Sequence, residues 1–240
     1  MQPLLQIESL VRSYAPPGGR AVPVVKIDRF ELAPAEQLAL SGESGSGKTT
    51  FLNLIAGITS PDAGRILFDG RDVTALAASE RDKLRAVGIG TIFQSFNLLQ
   101  GYSSIENIEL AMMLGRGVDR PFAEALLQRV GLADHRNHRP GQLSIGQQQR
   151  VAIARSLANR PRIILADEPT GNLDRRNAET AIELIRSLCT EERAALIVVS
   201  HDRQLLSGFD RVIDFDQLNQ ARAKFGGSAG SSAAQTAEGG

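Results

Sequence analysis

The residues GESGSGKT, positions 42–49, stand between the apolar run QLAL and the helix-like TTFLNLIAG. This order of strand, glycine-rich loop and helix limits the core the chain can build. A G-x-x-x-x-G-K-T loop needs a buried strand to deliver it and a helix N-terminus behind it to receive an anion, which commits the chain to layered α/β architecture. Its glycines let the backbone curl until N–H groups converge on the α and β phosphates of a nucleotide. Lys48 adds a point charge toward the β and γ phosphates, and the Thr49 hydroxyl can ligate Mg²⁺. The expected nucleotide-binding set is Gly42, Glu43, Ser44, Gly45, Ser46, Gly47, Lys48, Thr49 and Thr50.

A second constellation lies about a hundred residues later, in LSIGQQQRVAIARSLANRPRIILADE, residues 143–168. Ser144 is placed to cap a helix beginning near Ile145, with Gln147 reaching back in a capping box, so the free N–H groups there form a second seat for an anion. The run IILA then reads as a buried strand that carries Asp167 and Glu168 to its carboxyl end, where open α/β sheets bind ligands. Asp167 is the candidate to hold Mg²⁺ with Thr49, and Glu168 the candidate base for an attacking water.

Together these residues resemble the nucleotide-binding subunit of an ATP-binding cassette (ABC) transporter, over about residues 4–218. GESGSGKT matches the family's Walker A loop, LSIGQ its signature, IILADE its Walker B strand, GNLD its D-loop and SHD its switch histidine. Within the family, FQSFNLLQGYSSIENIELAMML and ADEPTGNLD are similar to the branch of lipoprotein-releasing, macrolide-exporting and FtsE-type cell-division ATPases.

The resemblance implies further roles. Gln94, after the apolar GIGTIF, corresponds to a glutamine that contacts Mg²⁺ or the lytic water, and His201, after AALIVVS, to one that reaches the γ-phosphate. Tyr14 stands where the family stacks an aromatic on adenine, although loop packing is open to it as well. Asp174 corresponds to a residue linking two sites across a dimer, and it is equally placed to cap the helix RRNAETAIELI. Ser144, Gly146 and Gln147 address the γ-phosphate bound by a second copy, because the family's dimer is head to tail. Ile145 departs from the usual glycine, which a first helical turn at negative φ accommodates. ATP bridging two copies would close this homodimer against a separate transmembrane permease, and hydrolysis, by removing the γ-phosphate contact, would reopen it. The alternative is a regulatory ATPase of a cell-division-type complex.

Around these motifs, β-rich runs at 4–10 and 22–32, broken by a turn at 16–19, predict an antiparallel N-terminal β-subdomain. Further strands are expected at 65–68, 87–93, 162–166, 194–199 and 211–215, with a helix at 175–189, so the P-loop strands form a RecA-like core. Helical periods between about 95 and 159, with Pro121 suited to a first turn, predict an inserted helical subdomain. Phe96, Leu98 and Leu99 serve either its core or a permease-facing surface. Residues 219–240, rich in Gly, Ala and Ser, are expected to form a disordered tail after a cassette at 1–218.

Composition narrows the partners. Lys plus Arg (27) equals Asp plus Glu (27), which leaves no basic footprint for nucleic acid. No stretch reaches the roughly 18 apolar residues of a membrane span, so a cytoplasmic protein is expected, peripheral on the inner face of the cell membrane and held there only through its permease. The single cysteine, Cys189, falls in an apolar helical pattern and reads as a core thiol. His135 and His138, in ADHRNHRP, read as solvated loop residues.

Overall fold

The computed structural model describes residues 2–15 and 18–221. In chain order its elements are β1 (Leu5–Tyr14), β2 (Val22–Leu32), β3 (Gln37–Ser41), α1 (Lys48–Ile55), β4 (Ala63–Phe68), β5 (Arg71–Asp72), α2 (Ala78–Gly88) and β6 (Ile89–Phe93). There follow α3 (Ser104–Met113), α4 (Arg120–Arg129), α5 (Ile145–Ser156), β7 (Ile163–Asp167), α6 (Arg175–Glu192), β8 (Ala195–Ser200), β9 (Arg211–Asp214) and α7 (Phe215–Leu218).

Two sheets result. β2-β1-β4-β5 is antiparallel, and β6-β7-β8-β3-β9 is parallel. The inner strands β7 and β8 and the strand β3 are largely apolar because both their faces are covered, whereas the edge strand β9 leaves Val212 exposed. Leu38, Leu40, Ile163, Leu165, Ile197 and Val199 face the N-terminal sheet and α1, while Ala39, Ile92, Ala166, Leu196 and Val198 face α6 and the helical lobe. Phe51 of α1 fastens the first layer, its ring centroid 5.5 Å from Phe30 and 5.4 Å from Phe215. Among the described residues no helix is long and apolar enough to cross a membrane.

The α/β P-loop core, the antiparallel N-terminal sheet and the inserted helices α3, α4 and α5 follow the sequence expectations. Several boundaries differ by a few residues, and three of these differences have a local cause. Residues 87 and 88 close helix α2 rather than open a strand, and β6 begins at Ile89. The polar segment ASERDKLRAVG buries no residue fully, so it carries no apolar stripe to announce a helix. Phe215 opens α7 instead of ending the last strand, because Asp214 caps the turn by accepting from the Asp216 N–H at 3.0 Å. Asn219, Gln220 and Ala221, placed in the tail by composition, pack against β2. The rest of that tail, 222–240, and residues 16 and 17 of the first turn lie outside the described residues.

Cys189 is buried on α6, and desolvation pushes its thiol up to about 12, so it stays neutral within the core. Phe96 and Leu98 are core residues, whereas Leu99 is exposed.

Candidate active site

The loop from Gly42 to Gly47 leaves the carboxyl end of β3 and enters α1. Gly47 takes φ 101°, and a Cβ there would meet the Val24 carbonyl oxygen at 2.7 Å, so no other residue fits. Lys48 is buried and folds back into the loop. Its Nζ donates to the carbonyl oxygens of Gly42 at 2.9 Å and Glu43 at 2.6 Å and to Ser46 Oγ at 3.3 Å. The loop thus encloses a cation, while residues 43–45 at its tip are exposed.

Asp167 ends β7, the strand next but one to β3 in the parallel sheet. Burial holds its carboxyl above the ordinary carboxylate range, opposed by a hydrogen bond from Thr49; Glu168 raises it further and Lys48 lowers it. Its Oδ1 is buried without a hydrogen-bond partner. A costly carboxylate beside a hydroxyl suits a hard divalent cation, which prefers oxygen ligands and would draw the remainder from phosphate and water. No cluster of three or more acidic, His or Cys ligands occurs among the described residues. Since the raised carboxyl takes up a proton more readily in the folded chain than in the unfolded one, the nucleotide-free fold gains stability as pH falls toward that raised value. Asp167→Asn is therefore expected to raise the melting temperature of the nucleotide-free protein at pH 7 by a few degrees while removing Mg²⁺-dependent hydrolysis; calorimetry and phosphate release check the two halves.

Glu168 turns out of the strand at φ 45°, a left-handed position that costs a non-glycine residue of order 1 kcal/mol and is held here by its N–H donating to the Val199 carbonyl at 3.0 Å. Its side chain is mostly buried, and Oε2 lies 2.9 Å from Nδ1 of His201, itself 68% exposed. A largely enclosed carboxylate paired with an accessible imidazole, both at strand ends facing the loop, can deprotonate and orient a water. Gln94 follows β6, its carbonyl accepting from Asn172 Nδ2 at 2.7 Å. Its side chain crosses Gly171 so closely that a Cβ there would lie 2.8 Å from Nε2. Asp174 caps α6, accepting from the Asn177 N–H at 3.0 Å. Tyr14 is exposed at the end of β1 and pairs with Val22, two residues before the Val24 that abuts Gly47. The Arg12 guanidinium lies 4.8 Å from its ring centroid and is itself held by Asp62 at 2.8 Å.

The signature residues stand apart from this group. Ser144 and Gln147 form the expected capping box at α5: Ser144 N–H donates to Gln147 Oε1 at 2.9 Å, and Gln147 N–H to Ser144 Oγ at 3.3 Å. Ile145 has negative φ and is 54% exposed; a Cβ on Gly146 would meet nothing. None of Ser144, Gly146 or Gln147 hydrogen-bonds the Gly42–Thr49 loop of its own chain.

His135 and His138, expected to be solvated, are half-buried. Their rings lie tilted at 44° with centroids 4.9 Å apart, His135 Nε2 sits 3.1 Å from Gln147 Nε2, and His138 Nδ1 is buried. The short helical turn at 133–135 brings them under α5, a folding-back that i, i+3 spacing in a polar loop does not announce. Sequence reasoning also passed over Gln149, buried on α5 and donating to the carbonyl of Pro169 directly after Glu168. In the sequence only its place in the run QQQ marks it.

The model of the ABC transporter family matches residues 25–171. The chain belongs to that family. It is similar to the lipoprotein-releasing system ATP-binding protein LolD of Pseudomonas fluorescens, at 40% identity over 89% of this chain and 95% of that one. Chlorobaculum tepidum LolD 2 is 39% identical over 88% of each, and Coxiella burnetii LolD 37% over 90% and 94%. The dimeric ATP-binding cassette MJ0796, in a post-hydrolysis state bound to ADP and Pi, superimposes with a TM-score of 0.80 at 35% identity, covering 90% of this chain and 95% of that one. A second dimeric structure of MJ0796 gives 0.79 at 36% identity, over 88% and 93%. The chain is accordingly an ABC ATPase, and the α/β cassette expected from its motifs is the fold it has.

Proposed function

We propose that this ABC ATPase drives a separate membrane permease in a lipoprotein-releasing system, through ATP-dependent head-to-tail pairing of two copies with Mg²⁺ held by Thr49 and Asp167. The observation that carries the pairing is the capped, outward-facing N-terminus of α5, whose phosphate-directed Ser144, Gly146 and Gln147 have no partner loop within their own chain. A second copy supplies the loop, and ATP lies between them. In each half Lys48 and the loop amides hold the phosphates, Glu168 takes the proton of the attacking water with His201 aligned beside it, and Gln94 reports the γ-phosphate to the helical lobe. Tyr14 offers a ring face to adenine.

The permease reading is supported by a groove of about 620 Å³ between β6, α2 and α3, lined by Phe93, Leu99, Leu110, Ala111, Leu114 and Arg155. Leu114 in its lining is 75% exposed and Met113, the residue before it, 65%, a concentration of apolar surface suited to an inserted segment. Lipoprotein as the cargo class rests on the relatives, three of which carry that function in their names. Leu114→Asp should leave ATP hydrolysis by the isolated subunit unchanged while abolishing copurification with the permease and lipoprotein release from membrane vesicles. Full release by that variant would move the docking surface elsewhere, and a wild-type complex that releases no lipoprotein would overturn the cargo class.

A further inference from the structure

The polar residue most tightly integrated beneath the phosphate loop lies at the far end of the chain. Asn219 is 2% exposed and uses every hydrogen-bonding position of its amide. Oδ1 accepts from Lys26 N–H at 2.8 Å and Ala221 N–H at 3.2 Å; Nδ2 donates to the Val24 carbonyl at 2.8 Å and the Ser46 carbonyl at 2.9 Å. The residues around it are fixed as well. Asn219 N–H donates to the Phe215 carbonyl at 2.8 Å, Gln220 N–H to the Lys26 carbonyl at 2.9 Å, and Asp216 Oδ2 accepts from the Glu43 N–H at 3.1 Å.

We propose that Asn219 is a positioning residue for ATP binding, holding the peptide between Ser46 and Gly47 so that its N–H is turned into the phosphate loop. The peptide group is planar and trans, so its carbonyl and N–H point in opposite directions. Fixing the Ser46 carbonyl on Asn219 therefore fixes where the Gly47 N–H aims. The approach is close: with Gly47 at φ 101° the loop lies against β2, near the Val24 carbonyl. Two carbonyl oxygens, of Val24 and Ser46, would face this space with no donor between them; the Asn219 amide supplies both. The same side chain binds β2, whose beginning pairs with Tyr14, so the adenine platform and the phosphate loop share one anchor. This inference rests on the reading of residues 42–49 as the phosphate-binding loop.

The test uses the full chain, with ATP and Mg²⁺, and compares Asn219→Ala, Asn219→Asp, Lys48→Ala and Gln37→Ala. Gln37 is a hydrogen-bonded amide at the opposite end of β3 from the loop and serves as a control for general destabilisation. Asn219→Ala should weaken ATP binding and raise KM about tenfold, the effect of one lost hydrogen bond to a buried group, with kcat at saturating ATP within about threefold of wild type. Asn219→Asp should lose more, because it keeps the acceptor for Lys26 but turns a carboxylate oxygen onto two carbonyls. Gln37→Ala should leave KM at the wild-type value. Hydrogen exchange on the wild-type protein keeps the question decidable if the variants do not fold: amides of 43–49 and 219–221 should gain protection together when ATP is added. Wild-type KM in both Asn219 variants, a fall in kcat alone, or exchange at 219–221 indifferent to ATP would overturn the assignment. Wild-type ATP affinity in Lys48→Ala would instead overturn the loop reading beneath it.

Discussion

Glu168→Gln is expected to lower ATP turnover by about 10²- to 10⁴-fold while leaving ATP affinity near the wild-type value. The contacts proposed to bind nucleotide belong to other residues: the loop and Lys48 hold the phosphates, and Thr49 and Asp167 hold the cation. Glutamine keeps the shape of the side chain and its place beside His201, 2.9 Å away, but is no longer a base. The left-handed backbone at φ 45° is unchanged by the substitution, so the strand end keeps its geometry. With binding intact and hydrolysis blocked, the ATP-bound pair has no route to reopen, and dimer should accumulate on addition of ATP. Single-turnover phosphate release and sedimentation velocity, with and without ATP, check both halves. Near-wild-type phosphate release would remove Glu168 from the role.

Lys48→Ala should act at the earlier step and reduce ATP affinity about 100-fold, close to 3 kcal/mol, through loss of a charged donor to phosphate. The loop itself contributes to this loss. Nζ is shared among the Gly42 and Glu43 carbonyls and the Ser46 hydroxyl, so its removal leaves buried acceptors without a donor and lets the loop relax from its receiving shape. Calorimetric titration with ATP and Mg²⁺ measures the change directly. The two substitutions thus separate: one leaves binding and removes chemistry, the other removes binding.

The fold and site are legible in the sequence where the information is local. The loop, the capping box and the strand-end carboxylates are short-range patterns whose spacing sets their geometry, and Ser144, Asp174 and Glu168 stand where the motifs place them. Helix α2 was illegible because it buries no residue fully and so shows no apolar period. His135 against Gln147 and Gln149 against Pro169 depend on how the helical lobe folds onto the core, contacts that no spacing within one segment encodes. Asn219 was the furthest from view: its composition context is that of a tail, yet it meets Ser46 across 173 positions of sequence.

The central claim is that each working site is composed from two chains, the loop of one and the signature of the other. Mixing inactive Lys48→Ala protein with inactive Ser144→Ala, Gly146→Asp protein tests it most directly, because a head-to-tail pair of the two contains one fully wild-type site. Random pairing makes half the dimers mixed, and each has one intact site of two, so ATP hydrolysis should recover to about one quarter of the wild-type rate. A mixture no more active than the sum of its separate components would contradict the claim.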